Sequence, residues 1–299
     1  MIDLHSHTTE SDGTSSPEEL VRLAVATELE ALAVTDHDTF AGYEAARPYA
    51  AEAGLDLVCG IELSTKARSR SSQNARTVHM LAYFLNAPPA AAFRTWIEAM
   101  LASRRERNRR LVHNLNEAGV DISLGEVESM GRRLTGRPHF ARLLVRKGYC
   151  QTSEEAFRKY LGEDAPSFVE RDSPDIEEAI AAVRDGGGIS VMAHPVRLGI
   201  RDQAREEQFI ARLASQGMSG IEVWHSDQTA ADSERYLGYA RRHGLIATGG
   251  TDFHGGNKPG LLLGTGREGN VSVPRTVLDE MRAAVRVRPA LRPVQDATG

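Results

Sequence analysis

The sequence predicts an α/β protein, a parallel β-sheet with helices packed outside it, interrupted by an inserted helical segment. Three observations carry this reading. Short apolar runs alternate with amphipathic segments in β-α order at both ends of the chain. No good strand occurs between Phe84 and Gly187. Histidine, aspartate and glutamate recur where the apolar runs end.

The first strand carries Ile2-Asp3-Leu4-His5-Ser6-His7, and Gly13 helps turn the polar loop that follows. Ser16-Pro17-Glu18-Glu19 starts a helix running to about Glu28: serine caps, proline fits the first turn, and acids suit the N-terminal dipole. Ala31 to Thr35 is a short buried-type strand ending in Asp36-His37-Asp38, and a helix over Ala41 to Ala53 stops at Gly54. Leu55 to Glu62 and Thr77 to Phe84 read as the third and fourth strands. A long helical stretch follows from Pro89 to Asn116, then helical pieces near Glu126, Phe140 to Arg146 and Glu154 to Leu161. The alternation resumes with a helix at Ile176 to Arg184 and a strand leading to Ala193-His194-Pro195. A helix at Glu206 to Ser215 leads to the strand Gly220 to Trp224. A helix at Ala231 to His243 leads to Leu245 through His254, the seventh strand outside the insertion. Pro274 to Val287 reads as a closing helix. These limits place the sheet in residues 1–100 and 166–290, the helical insertion in 101–165, and a loose tail in 291–299.

A chain of 299 residues with 41% hydrophobic and 26% charged residues can bury a sizeable core. No run of eighteen apolar residues exists, and Asp3, His5 and His7 interrupt any apolar N-terminal stretch, so neither a membrane span nor a signal peptide is expected. Cys59 and Cys150 alone make no disulfide framework, and a cytoplasmic protein is the expectation. The net charge of −5 is uneven: residues 101–165 carry 13 Lys and Arg against 9 Asp and Glu, leaving −9 elsewhere. Bound divalent cations could offset that excess and the basic segment suits an anionic substrate, although plain solvated surface gives the same balance.

Two histidines two residues apart on a strand point to one face, so the imidazoles of His5 and His7 can converge on a metal ion. Alone, such a pair reads equally well as surface decoration. Recurrence decides. Asp12 follows closely, and His37, Glu62, His194, Asp252 and His254 sit at strand ends, where parallel α/β barrels build their active-site mouth. His79 lies earlier in its strand but can point into the same space. All nine are imidazole or carboxylate and none is thiolate, which argues against a soft-metal or zinc-finger site, and Mn²⁺, Fe²⁺ or Zn²⁺ suits. No Gly-x-Ser-x-Gly elbow or Walker-type loop competes.

His5-Ser6-His7 with Asp12, Thr35-Asp36-His37-Asp38, Gly60-Ile61-Glu62, His79, Ala193-His194-Pro195 and Thr251-Asp252-Phe253-His254 resemble the successive motifs of the PHP (polymerase and histidinol phosphatase) superfamily. The resemblance implies a distorted (β/α)7 barrel, metal-dependent phosphoester hydrolysis and a cluster of up to three divalent ions, with manganese placed first. It implies one ion on His5, His7, Glu62 and Asp252, a second on Glu62, His79 and His194, and a third on Asp12, His37 and His254. His5, His7, Glu62, His194, Asp252 and His254 would then serve catalysis through the ions, with a metal-bridging hydroxide as nucleophile. Asp38 is expected to support His37 by hydrogen bonding.

The insertion resembles that of a PHP subgroup acting on nucleotide and oligonucleotide phosphates, through Thr135-Gly136-Arg137-Pro138-His139-Phe140-Ala141-Arg142. If it caps the barrel, Arg137 and His139 contact phosphate; a helix-start surface arginine and a locally packed histidine are the alternative. Arg197 and Lys258 stand beside proposed ligands, Trp224 and His225 end a strand at the mouth, and Arg104 and Asn108 share a face of the basic helical run. His113 and His243 read as helix-surface histidines. The expected activity is removal of the 3′-phosphate of nucleoside 3′,5′-bisphosphates, giving the 5′-nucleotide and phosphate. A 5′-3′ exoribonuclease on short 5′-phosphorylated RNA, a histidinol-phosphate phosphatase and a noncatalytic metal-binding module are the alternatives. The partners expected are a small nucleotide or short RNA, with no membrane and no obligate protein partner.

Overall fold

Seven strands form one sheet in sequence order, and its first and last strands meet. The computed structural model describes residues 1–67, 76–130 and 135–287, so the tail 291–299 lies outside the described residues. β1 (Ile2–Asp3) is followed by α1 (Pro17–Ala26), whose start is a capping box: Glu19 N–H donates to Ser16 Oγ while Ser16 N–H donates to Glu19 Oε2. β2 (Ala31–Val34) leads to α2 (Ala41–Ala53), which ends on Gly54 at φ 68°, a left-handed turn that glycine makes without strain. β3 (Asp56–Ala67) and β4 (Arg76–Phe84) follow.

That last pair corrects the expectation of a parallel sheet. Eight residues separate β3 from β4, fewer than the dozen or so that a parallel crossover needs, and the two run antiparallel from Cys59↔Phe84 to Ala67↔Arg76. β5 (Ile189–Met192) is antiparallel to β4 as well, and β6 (Gly220–His225) and β7 (Ile246–Gly250) run parallel to β5. β4 is therefore the one reversed strand, and its N-terminal half lies at the rim where the other six end.

The seam between β1 and β7 is closed by polar groups. Asp252 N–H donates to His5 O, His7 N–H donates to Phe253 O, and buried Asp3 accepts from Thr251 N–H, Thr251 Oγ and Gly264 N–H. The barrel interior is filled by Ile2, Leu4, Ala33, Leu81, Tyr83, Ile189 and Val191, each buried. At about 1.5–3 kcal/mol for each large apolar side chain, that interior is a packed core, not a channel. Tyr83 crosses it to donate to Leu4 O at 2.7 Å.

Between β4 and β5 the regular elements among the described residues are all helical, as the absence of strand signals predicts. α3 (Ala91–Glu117) is 27 residues long and belongs to two cores. Phe93, Ile97 and Met100 pack on the barrel, whereas Leu111 and Leu115 join Val120, Ile122, Val127, Phe140, Leu144 and Leu161 in a separate cluster that reaches Val169. That second cluster is built by α4 (Leu124–Glu128), α5 (Arg137–Arg146), α6 (Ser153–Ala156) and the π turn Phe157–Leu161. α7 (Ile176–Asp185), α8 (Gln203–Ser215) and α9 (Ala230–His243) cover the returning strands, and α10 (Thr276–Val287) closes the end of the barrel opposite the rim. No described helix is long and apolar enough to cross a membrane.

Candidate metal centre

Regular strand geometry ends at Asp3, so His5 and His7 lie just past β1 rather than within it. Alternation survives nonetheless. Ser6 between them donates its hydroxyl to Ala33 O at 2.6 Å and its N–H to Thr35 Oγ, which turns the two imidazoles to the other side. His37 follows β2, Glu62 lies in β3, His194 and Asp252 follow β5 and β7, and reversed β4 delivers His79 to the same rim.

Glu62 is the hub, and it is buried. Its Oε2 lies 3.2 Å from His5 Nε2, 3.1 Å from His7 Nε2 and 3.2 Å from His37 Nδ1. Its Oε1 lies 2.9 Å from His79 Nδ1 and 3.0 Å from His194 Nε2. Asp252 Oδ1 stands 3.5 Å from His5 Nε2 and 3.3 Å from His7 Nε2. Asp12 faces His254 Nε2 at 3.2 Å and His37 Nε2 at 3.7 Å. The donor atoms of His5, His7, Glu62 and Asp252 all fall within 4.8 Å of one another, as do those of His7, Asp12, His37 and His254, and those of His37, Glu62 and His79. His37 thus faces both sides of the cluster.

The donor set fits divalent ions. His5 Nε2, His7 Nε2, His37 Nδ1 and Glu62 Oε2 are buried and have no hydrogen-bond partner among the described residues. Atoms coordinating one ion at about 2.1 Å stand roughly 3–3.4 Å apart in octahedral or tetrahedral arrangement, which is the spacing found here. Burial opposes charge on Glu62, yet His37, His5 and His79 hold its carboxyl well below the usual range. Half-buried Asp12 and buried Asp252 are likewise held low, by His254 and His37 and by His5 and His254 respectively. Three ionised carboxylates in one buried site call for cations. His254 donates Nδ1–H to Asp252 O at 2.8 Å, which leaves its Nε2 lone pair toward Asp12. Asp38, His194 and Asp252 all have positive φ (51°, 28° and 57°), a local cost that clusters at functional sites.

A cavity of about 350 Å³ opens over this cluster. Asp12, His37 and His79 form one wall; Arg104, Arg107, Arg137, His139 and Arg171 form the other. Burial, then Arg104, Arg137 and Arg171, push the Arg107 guanidinium down to about 9, and its Nε has no partner among the described residues. Arg171 Nε and Nη2 are also without one. Arg137 is held by Leu161 O at 3.2 Å and lies over Phe168, 5.5 Å from the ring centroid. His139 Nδ1 accepts Gly136 N–H, so its Nε2 carries the proton in the neutral ring, and burial lowers it to about 4.

Several expectations shift. Asp38 does not support His37: it accepts Ser64 N–H and pairs with Arg104 and with Arg171 at 2.9 Å, because left-handed backbone at Asp38 turns it toward the insertion. Asn108 does not line the cavity; its amide donates to Thr135 O at 2.9 Å. The cavity face of α3 carries Arg104 and Arg107, an i, i+3 pair, rather than Arg104 and Asn108. A β-bulge between Glu222 and Trp224 adds one residue to β6, so His225 joins Glu222 on the inner face and Trp224 packs among apolar side chains. His225 Nε2 stands 3.5 Å from Asp252 Oδ2. Arg197 pairs with Asp227 and, at 2.9 Å, with Asp252, and Lys258 pairs with Asp252 too. His113 and His243 pair with Glu117 and Glu207 on helix surfaces. Arg171 escaped sequence reading because it lies in an irregular stretch with no pattern. Glu222 left one signal, a carboxylate inside an apolar strand.

Residues 3–165 match the PHP domain family. The chain belongs to the PHP family. A 3′,5′-nucleoside bisphosphate phosphatase of Chromobacterium violaceum is 32% identical over 97% of this chain and 99% of its own length. A 5′-3′ exoribonuclease of Haemophilus influenzae is 32% identical over 84% of this chain and 89% of its own. The crystal structure of a protein from Bifidobacterium adolescentis described as a metal-dependent phosphoesterase superposes with a TM-score of 0.77, at 33% identity over 94% of this chain and 95% of its own. This PHP protein is accordingly a phosphoric ester hydrolase with the family's barrel.

Proposed function

We propose that this PHP protein is a metal-dependent phosphomonoesterase that removes the 3′-phosphate of nucleoside 3′,5′-bisphosphates, leaving the 5′-nucleotide. The observation that carries the reading is one cavity with two anion-handling walls, the His/carboxylate cluster on one side and Arg104, Arg107, Arg137 and Arg171 on the other. Asp38 pairs with Arg104 and Arg171, but Arg107 stands among guanidinium groups with no ion pair among the described residues, and a second phosphate would meet that charge.

His5, His7, Glu62 and Asp252 would hold one divalent ion, Glu62, His79 and His194 a second, and Asp12, His37 and His254 a third, in a centre where manganese, iron or zinc all suit the donors. Ions held there supply Lewis acidity toward phosphoryl oxygens and let water deprotonate near neutral pH. The chain's own groups do the rest. Arg197 and Lys258 lie against Asp252 and meet the phosphoryl group being removed. Arg107, Arg137 and Arg171 grip the second phosphate, and His139, fixed as an Nε2–H donor, gives it a neutral hydrogen bond. We take the helical segment of about residues 101–165 as the cap that carries this wall.

The exoribonuclease reading uses the same two walls, with the arginines on the 5′-phosphate of an RNA chain, and the Haemophilus influenzae relative supports it. Reconstituted protein should release phosphate from adenosine 3′,5′-bisphosphate. Absence of phosphate release, with mononucleotides cut from a short 5′-phosphorylated RNA, would replace the first reading by the second.

A further inference from the structure

The ligand assignment leaves Glu222 unused, although its side chain is fully buried against two of the candidate ligands. Its Oε1 lies 3.0 Å from His5 Nδ1, and its Oε2 accepts the backbone N–H of His194 at 2.6 Å. On their other side the same two residues meet Glu62, His5 Nε2 at Oε2 and His194 Nε2 at Oε1, 3.2 and 3.0 Å away. The two imidazoles stack with centroids 5.8 Å apart; the His5 ring lies between the two carboxylates, and His194 is held by Glu222 at its backbone and by Glu62 at its ring.

We propose that Glu222 is the positioning residue of this centre, fixing the tautomer of His5 and the backbone of His194 so that both rings present Nε2 to the two oxygens of Glu62. The inference rests on the metal reading above. A neutral imidazole has a single N–H, and a carboxylate beside Nδ1 draws it there, which leaves the Nε2 lone pair for an ion. His194 has φ 28° and ψ 64°, a conformation that side-chain-bearing residues rarely adopt, and a short bond from its N–H to a buried carboxylate holds it there. A separate ion shared by His5, Glu222 and His225 fits less well. Glu222 Oε2 is occupied by His194, and His225 Nδ1 accepts Asp227 N–H at 3.1 Å. The bulge in β6 fixes this arrangement locally, since it is what sets Glu222 and His225 on one face.

The test is equilibrium dialysis of the full chain against Mn²⁺ or Zn²⁺ alone, for wild type and Glu222→Gln, with melting curves of both metal-free proteins. If wild type binds neither ion, the metal reading itself fails, whatever Glu222 does. With wild type binding, Glu222→Gln should lose about 10- to 100-fold in affinity, and a correspondingly higher free Mn²⁺ should restore its occupancy. Unchanged affinity in a folded Glu222→Gln protein overturns the proposal, even if its melting temperature falls. Should that variant not fold, ring ¹⁵N spectra of Zn²⁺-loaded wild type, with His5→Gln for assignment, decide the matter. A proton on His5 Nδ1 supports the proposal and a proton on Nε2 refutes it.

Discussion

At the scale of single residues, Glu62 and Arg107 show the two kinds of chemistry the site combines. Glu62 divides its two oxygens among five imidazoles, so no neighbour can replace it or Asp252 as a source of negative charge at the centre. Replacing Asp252 by alanine should cut metal-dependent turnover by on the order of 10³-fold while circular dichroism stays that of the wild type; retained activity would remove Asp252 from the ligand set. Arg107 is buried among other guanidinium groups, with no ion pair among the described residues. A hydrogen bond to a charged group is worth about 1.5–3 kcal/mol. Arg107→Met should therefore raise KM for a 3′,5′-bisphosphate by about 10- to 100-fold, with little change for a 3′-monophosphate. An equal loss on both substrates would mean that Arg107 does not read the second phosphate.

At the scale of elements, two departures from regularity build the site. Reversed β4 brings His79 to a rim from which a parallel strand would have removed it, and the bulge in β6 turns Glu222 and His225 inward together. Neither was legible in the sequence. Period-two alternation reads the same in both strand directions, and a bulge is one extra residue with no composition of its own. What was legible were the strands, the helices and the strandless stretch after Phe84, because apolar periodicity and caps such as Ser16-Pro17-Glu18-Glu19 are local. The opposite end of the barrel offers a pH test. Asp56 opens β3 and accepts from Arg275 at 2.6 Å and from Arg282 of α10 at 2.8 Å. Partial burial opposes its charge, but Arg282 and Arg275 hold its carboxyl below the usual value. A carboxyl lowered in the folded state adds stability above its unfolded pKa of about 3.9 and loses it as pH falls through the lower folded value. Asp56→Asn should thus be less stable than wild type at pH 7, by about 1 kcal/mol or less given its exposure. The two denaturation curves should converge as pH falls through that lowered folded value, and a gap that persists in still stronger acid would assign the effect to packing.

At the scale of the whole molecule, barrel closure forces groups from six separate stretches of chain into one volume rich in carboxylates. Ions bound there should stabilise the fold by linkage, about 2.7 kcal/mol for one site at a concentration one hundred times its Kd. A chelator should lower the melting temperature and added Mn²⁺ should restore it; melting curves that coincide with and without chelator would argue against any resident ion.

The sequence by itself determined the candidate donors and the class of chemistry, phosphoric ester hydrolysis. Nine imidazoles and carboxylates, most of them where apolar runs begin or end, are a statement about side-chain type and local periodicity, and both are written residue by residue. Only the tertiary structure decided which oxygen of Glu62 faces which histidine, that Asp38 serves Arg104 and Arg171 rather than His37, and that Glu222 stands behind His5 and His194. Those relations join residues tens to hundreds of positions apart, and nothing local encodes a contact made by closing a barrel.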